Sequence, residues 1–318
     1  MEEGRSLAGV DFSLPPVDPL VRRVLASGAR GRRAGPPRVH VGAPQWGVRE
    51  WLGHVYPPGA RAGDWLAHYA RQLNTVELNA THYGTPTPAV LRRWRESAPP
   101  GFTFAPKFPR AVSHAEDLGR VADAAREFCA RMSEGLQDRL GRAFLQLPPQ
   151  FGPARIGELA ALLHALPRDF PLAVEARNPR LFHERRLTPT LAALLHARGA
   201  GAVVTDTPGR REVSHGTLTA PTLLLRFVGT GAPAVDARRA DAWARRLARL
   251  LALGLEEVHV FVHMPSPLLA AEACNGWVHR LNAACGLRLA PWQPGGGGEG
   301  AARGAAPAGE GAQLSLWG

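Results

Sequence analysis

Eight short β-rich runs alternate with amphipathic helical stretches between residues 39 and 289, and this alternation limits the fold more than any other feature. The runs occupy 39–43, 75–79, 102–107, 143–147, 172–176, 202–206, 222–228 and 258–263. Helical periodicity fills 64–72, 88–97, 118–137, 156–165, 188–198, 236–253 and 267–284. A strand that returns to parallel pairing needs a crossover, and a helix supplies it. Eight such units in about 250 residues predict an α/β fold of the TIM-like (β/α)8 barrel type. The stretch between 206 and 222 is too short for a full helix, so one outer element is expected to be irregular. A doubly wound open sheet is the alternative. No GxGxxG follows the first run, which argues against its dinucleotide-binding version.

The flanks differ in composition. Residues 1–37 are rich in Pro, Gly and Arg, with seven Arg up to residue 38 against four acids, and are expected to form a disordered basic arm. Residues 38–289 form the barrel domain, 290–312 a flexible Gly/Ala linker and tail, and 313–318 an apolar tip. The formal charge of +11 favours a polyanionic partner, with DNA the expected one. Three cysteines without CxxC spacing predict reduced thiols and no zinc knuckle. No apolar run approaches the roughly 20 residues of a membrane span, and the MEEGRS start lacks a signal-peptide core. A cytoplasmic protein without membrane association is expected.

Of 38 basic residues, 37 are Arg and one, Lys107, is Lys. Arg is permanently charged, whereas a buried Lys can lose its proton and form a Schiff base. Lys107 is therefore a candidate for chemistry that Arg cannot perform.

Strand parity selects the other candidates, because side chains alternate faces and the C-terminal rim of such a barrel carries the chemistry. In "TVELN", Val76 and Leu78 face the helices, so Glu77 and Asn79 face inward. By the same count Lys107, Glu175, Arg177, Arg226, His259 and His263 point in, while Gln146 and Asp206 close the fourth and sixth strands. A buried charge is costly unless it is paired or used. Glu77, Lys107, Glu175, Asp206, Arg177 and Arg226 are thus expected to form one mixed-charge network around a pocket. The rim loops add Trp46, Tyr83, Arg110 and His114 as candidate substrate contacts, with His82, Trp51, Tyr56 and Phe108 close by.

The segments "VGAPQWGVREWLGHVYPPG", "TVELNATHYGTPTPAVLRRW", "GFTFAPKFPRAVSHAEDL", "LQLPPQF", "VEARNPRLF" and "VVTDTPG" follow one another in this order. Together they resemble the hallmarks of the YecE-like family, catalogued as a domain of unknown function, over residues 39–289. The resemblance implies a TIM-like barrel, in agreement with the strand count, and leaves the reaction open.

Three chemistries fit the candidates. In one, Arg110, Arg177 and Arg226 hold phosphate oxygens while Glu77 or Glu175 acts as general base toward water, a phosphodiesterase-like hydrolase. In the second, Glu77, Glu175, Asp206 and His263 hold a divalent metal, although no HExxH-type spacing supports one. In the third, Lys107 forms a Schiff base with a sugar or an abasic deoxyribose, as a lyase. DNA repair is the expected setting. A sugar-phosphate enzyme unrelated to DNA and a non-catalytic phosphate-binding scaffold are the alternatives.

The chain closes with "GAQLSLWG". Gln313, Leu314, Ser315, Leu316 and Trp317 resemble the peptide by which bacterial DNA-processing proteins dock on the replicative sliding clamp. The resemblance implies polar contacts from Gln313 and an apolar pocket filled by Leu316 and Trp317, with the linker raising the effective concentration beside DNA. A peptide of the last ten residues is expected to bind a bacterial sliding clamp at about micromolar strength. Burial of each large apolar side chain is worth about 1.5–3 kcal/mol, so the Leu316→Ala/Trp317→Ala peptide should bind at least about a hundredfold more weakly. Titration of both peptides against purified clamp checks this, and equal binding by both, or by neither, removes the clamp as a partner.

Overall fold

The computed structural model describes residues 7, 9–28 and 35–293. The clamp-like residues Gln313, Leu314, Leu316 and Trp317, and the linker from 294, lie outside the described residues. In chain order the elements are α1 (Leu20–Gly28), β1 (Arg38–Gly42), α2 (Trp65–Gln72), β2 (Thr75–Leu78), α3 (Pro88–Ser97), β3 (Thr103–Pro106), α4 (Arg110–Ser113), α5 (Ala122–Leu136) and β4 (Ala143–Gln146). There follow α6 (Ile156–Ala165), β5 (Leu172–Glu175), β6 (Phe182–His183), β7 (Arg186–Leu187), α7 (Pro189–Arg198), β8 (Gly201–Asp206), β9 (Thr222–Val228), α8 (Pro233–Ala252), β10 (Glu257–His263) and α9 (Pro267–Cys285).

All eight expected runs form strands. Six make a parallel sheet in the order β1-β10-β9-β8-β5-β4, and β2 pairs with β3 in a second parallel sheet. Backbone bonds join the two sheets at both edges, one beside β1 and two beside β4. Glu77 N–H donates to the Ala43 carbonyl at 3.1 Å, and Gly141 and Phe108 N–H donate to the Phe104 and Phe144 carbonyls at 2.7 and 3.0 Å. The connection from β8 to β9 holds only a short 3-10 turn, Arg211–Val213, as its length predicted.

Alternation divides the apolar residues into two groups. Val76, Leu78, Val174, Leu223, Leu225, Val258 and Val260 belong to the large core beneath the helices. Ala105, Phe144, Ala173, Val203, Leu224 and Phe261, one from each of six strands, form a separate buried cluster on the other face. Parity thus places the polar residues that follow them, two positions toward the C-terminal ends, on that same second face.

One expectation is corrected. The basic arm is ordered over part of its length. Asp18 accepts from Leu20 N–H at 2.9 Å, which starts α1, and Val21, Val24 and Leu25 are buried. Arg246 donates to the Pro15 carbonyl at 2.6 Å and Thr217 Oγ1 to Asp18 Oδ2 at 2.7 Å. Three apolar residues at helical spacing repay the ordering of the segment, a pattern that the surrounding Pro, Gly and Arg masked. The β6–β7 hairpin is an element that the sequence reading did not assign. Its turn uses Glu184 and Arg185 at φ 47° and 57°, a conformation normally signalled by Gly or Asn, and neither is present.

At Gly42 the inner face leaves no room for a side chain, since an added Cβ would stand 2.0 Å from the Thr75 carbonyl oxygen. That contact sets how closely β1 approaches β2. Gly42→Ala should destabilise the protein by about 3 kcal/mol, the upper end for overpacking. Gly63→Ala, where an added Cβ meets nothing within 4 Å, should change little. Urea midpoints of the two variants check the contrast.

Candidate functional site

The inner face of the strands ends in a buried ionic cluster centred on Arg226. The guanidinium donates from Nε and Nη2 to the two oxygens of Glu77, both at 3.0 Å, and from Nη1 to Glu175 at 3.2 and 3.3 Å. Glu77 is fully buried and Glu175 is 1% exposed. The Arg226 carbon lies 5.6 Å from the centre of the Phe144 ring, which belongs to the apolar cluster beneath. Register explains the convergence. Arg226 stands beside Phe261 on one side and Thr205 on the other, and Gln146 stands beside Glu175.

Each carboxylate has further donors. Asn79 Nδ2 donates to Glu77 Oε1 at 2.8 Å, and His263 Nε2 lies 3.2 Å from Oε2. Gln146 Nε2 and Thr205 Oγ1 donate to Glu175 at 2.7 and 2.9 Å, and Arg177 Nε is 3.4 Å from it. Burial alone would raise the pKa of both glutamates, but the Arg226 charge overrides it, aided by His263 at Glu77 and by Arg177 at Glu175, and holds both below the usual carboxylate range. Ionised and engaged at every oxygen, neither glutamate is placed as a general base. Their role here is to keep Arg226 charged and fixed.

Lys107 differs. It follows β3, is 9% exposed, and its ammonium has no hydrogen bond or ion pair among the described residues. Burial and then the Arg226 charge push its pKa below the ordinary lysine range, with Arg177 adding to this, against the opposing pull of Glu77 and Glu175. The Lys107 carbonyl accepts from Thr81 Oγ1 at 2.7 Å, and its N–H donates to the Leu78 carbonyl at 3.2 Å, so its backbone is fixed to the end of β2.

Two histidines border the lysine. His82 Nδ1 lies 2.9 Å from the Phe108 carbonyl. A carbonyl only accepts, so Nδ1 carries the proton and Nε2 is left free. The Ser113 hydroxyl donates to the Pro109 carbonyl at 3.1 Å, so it accepts from His114 Nδ1–H at 2.9 Å. Burial is the main cause that lowers the pKa of both rings, and the charges of Lys107 and Arg110 add to it. The ring centroids are 5.4 Å apart, and Tyr83 stands edge-on to His82, also at 5.4 Å.

Most expected site residues therefore converge: Glu77, Asn79, Lys107, Gln146, Glu175, Arg177, Arg226 and His263 share the cluster, with Arg110, His114 and Tyr83 at its edge. Asp206 does not join them. It points to the helix side, accepting from Trp243 Nε1 at 2.8 Å and pairing with Arg239 at 3.2 Å and with Arg211. Parity itself carried the signal. Val204 faces outward, so Asp206 does too, and Thr205 is the inward residue that the sequence reading missed. Trp46 packs edge-on against Trp94 and outward-facing Phe104, at 5.2 and 6.4 Å, rather than against the cluster. Phe108 is fully buried against Phe128 and Phe170. No group of three or more His, Cys, Asp or Glu among the described residues could hold a metal ion. The set Glu77, Glu175, Asp206 and His263 is divided between the two faces of the sheet.

Residues 40–295 match the family described as "Protein of unknown function DUF72". UPF0759 protein YecE of Escherichia coli K12 is 33% identical over 253 residues, covering 74% of this chain and 89% of that protein, and its counterpart in strain O157:H7 matches equally. Two crystal structures of a DUF72 family protein from Enterococcus faecalis V583 superpose with TM-scores of 0.60 and 0.59 at 18% identity. They cover 79% and 80% of this chain and 99% and 98% of their own. No helix among the described residues is long and apolar enough to cross a membrane.

Removing Arg226 as Met leaves two buried carboxylates without their main counter-charge, and should cost about 3–5 kcal/mol. In the parent protein both glutamates titrate below 4.5, so their stabilisation is present above about pH 4.5 and fades as the pH falls. In Arg226→Met, burial raises both pKa values instead. The variant should then lose stability as the pH rises from about 5 to 8, while the parent does not. Urea midpoints across that range check the sign, and parallel profiles would overturn the counter-ion account.

Proposed function

The chain belongs to the DUF72 family, and from that premise we propose that its eight strands close into a TIM-like barrel whose C-terminal rim binds an anionic aldehyde and activates it as an imine on Lys107. The backbone bonds at both edges of the β2–β3 pair support the closure. A single observation carries the chemistry. The only lysine of the chain is buried, has no hydrogen-bond or ion-pair partner among the described residues and is depressed in pKa, whereas Glu77 and Glu175 near it are both engaged. This favours the lyase reading over the hydrolase reading, which needs a free carboxylate.

In the proposed reaction the neutral Lys107 Nζ attacks the aldehyde carbon. With one proton taken up from solvent, the carbonyl oxygen leaves as water and a protonated imine remains. Nε2 of His82 or His114 takes a proton from the adjacent carbon, and the freed electron pair moves into the iminium as an enamine. Expulsion of a phosphate from the next carbon breaks the C–O bond, and water then releases Lys107. Arg177 and Arg110 hold the phosphate oxygens. Imine formation is common to deoxyribose 5-phosphate and to an abasic deoxyribose within DNA, whereas expulsion of phosphate belongs to the abasic strand, because the free sugar carries its phosphate on C5 and a hydroxyl on C3. The unpaired sulfurs of Cys129, Cys274 and Cys285 suit a reducing compartment such as the cytoplasm, where both occur.

Borohydride reduction tests the reading. Incubation of the full chain with deoxyribose 5-phosphate, or with an oligonucleotide carrying one abasic site, should give a covalent adduct that peptide mass spectrometry places on Lys107. Lys107→Arg should give at least about a hundredfold less adduct, since Arg has no nucleophilic amine. The trapping rate should rise with pH through a midpoint below the 10.5 of an ordinary lysine, because the reactive form is the neutral amine. No adduct with either probe, or an adduct that persists in Lys107→Arg, overturns the reading. The two probes distinguish the small sugar from the nucleic acid.

A further inference from the structure

We propose that the aldehyde reaches Lys107 as part of a single nucleic acid strand, with a base next to the aldehyde-bearing sugar stacked on Tyr83. This deepens the imine reading by naming the class of substrate, and it adds two features that reading does not use, Tyr83 and Arg180, to Arg110 and His82, which it does. Tyr83 is 83% exposed, the highest value among the exposed large hydrophobics of the described residues. It follows the 3-10 turn Asn79–His82 at the C-terminal end of β2, so it stands on the rim rather than on a remote surface. His82 holds its ring edge-on at 5.4 Å, which fixes the aromatic plane while solvent covers most of the ring. An aromatic ring held in this way is a platform that any base can cover.

The surrounding charge agrees. The guanidiniums of Arg155, Arg210 and Arg211 in neighbouring loops are engaged by Glu158, Glu212 and Asp206. Arg110 and Arg180 are exposed and have no carboxylate partner among the described residues. They follow β3 and β5, the strands that lead to Lys107 and to Glu175. Arg110 is near enough to disfavour the charged form of both His82 and His114. A small sugar phosphate has one dianion to place, and Arg177 can take it. Further free guanidiniums on two loops, with an exposed ring, match a chain of phosphates and a flat base. The contacts are to phosphate and to the face of a ring, so little preference for base sequence is expected.

The experiment compares Tyr83→Ala and Tyr83→Phe with the parent chain on three probes: an abasic single-stranded oligonucleotide, deoxyribose 5-phosphate, and an unmodified oligonucleotide followed by fluorescence anisotropy. Tyr83→Ala should raise the concentration of abasic strand needed for half-maximal borohydride trapping about tenfold, and Tyr83→Phe, which keeps the ring face, should restore it. The loss on the strand should exceed any loss on deoxyribose 5-phosphate by at least about fivefold. Equal losses on the two trapped probes, or none, overturn the stacking role. Anisotropy keeps the test independent of the imine. If the parent chain traps nothing yet Tyr83→Ala weakens the unmodified strand about tenfold, the imine reading fails and the strand-binding inference stands. If polyglutamate displaces the strand and binds Tyr83→Ala as well as it binds the parent, the face belongs to an acidic protein and the inference is overturned.

Discussion

The two-sided ion pairing of Arg226 is the constraint on which the rest of the rim depends. One guanidinium bridges β2, through Glu77, to β5, through Glu175, across the inner face. Those strands lie in different sheets, so the bridge joins them in space where the backbone joins the sheets only by one bond at one edge and two at the other. A planar fork with several donors can do this, and a lysine ammonium cannot. The remaining carboxylate lone pairs are taken by Asn79, His263, Gln146 and Thr205, one donor from each of four other points on the rim. A satisfied network of this kind is stiff, and stiffness at the floor lets the groups above it keep fixed positions.

The apolar cluster of Ala105, Phe144, Ala173, Val203, Leu224 and Phe261 separates this floor from a second polar group toward the N-terminal ends of the strands. There Glu257 accepts from Arg38 and Arg142, both at 2.8 Å, and lies 2.6 Å from His259, whose ring stacks on His40 with centroids 4.6 Å apart. Burial pushes His40 down to about 3, so it is neutral at any ordinary pH. The two polar ends follow the same rule, a carboxylate between guanidiniums or a guanidinium between carboxylates. They differ in what remains unengaged. The lower group has no free amine, and the upper one has Lys107.

Much of this was legible in the sequence because alternation is a geometric rule. Outward valines and leucines in β2, β5, β9 and β10 placed Glu77, Glu175, Arg226 and His263 on one face without any knowledge of contacts. The same rule, applied strictly from Val204, would have sent Asp206 to the helices and brought Thr205 inward. The misreading came from treating the last residue of a strand as a rim residue whatever its parity. Saturation of the glutamates was not legible, since it depends on which donors meet across strands far apart in sequence. The ordered part of the N-terminal arm was hidden for a different reason. Three apolar side chains dock α1, and the flanking Pro, Gly and Arg outweigh them in any compositional reading.

Charge balance gives the lysine its character. The set at the floor contains two buried carboxylates, Glu77 and Glu175, and two guanidiniums paired with them, the buried Arg226 and the half-buried Arg177. These four sum to zero. With Lys107 neutral the group stays balanced, and with Lys107 protonated it carries one uncompensated positive charge in a largely desolvated place. Two states relieve that cost: loss of the proton, or arrival of an anion beside the ammonium. An arginine at 107 would have only the second, since it does not give up its proton. The arrangement therefore couples the two events. An anionic group that enters near Arg177 and Arg110 favours the ammonium and aligns it, and a carbonyl that arrives without such a group meets the neutral amine. An anionic aldehyde presents both features on one molecule. In the proposed reaction Arg177 and Arg110, which stay charged, meet the phosphate, and the amine reacts from the fraction of molecules in which Lys107 has given up its proton.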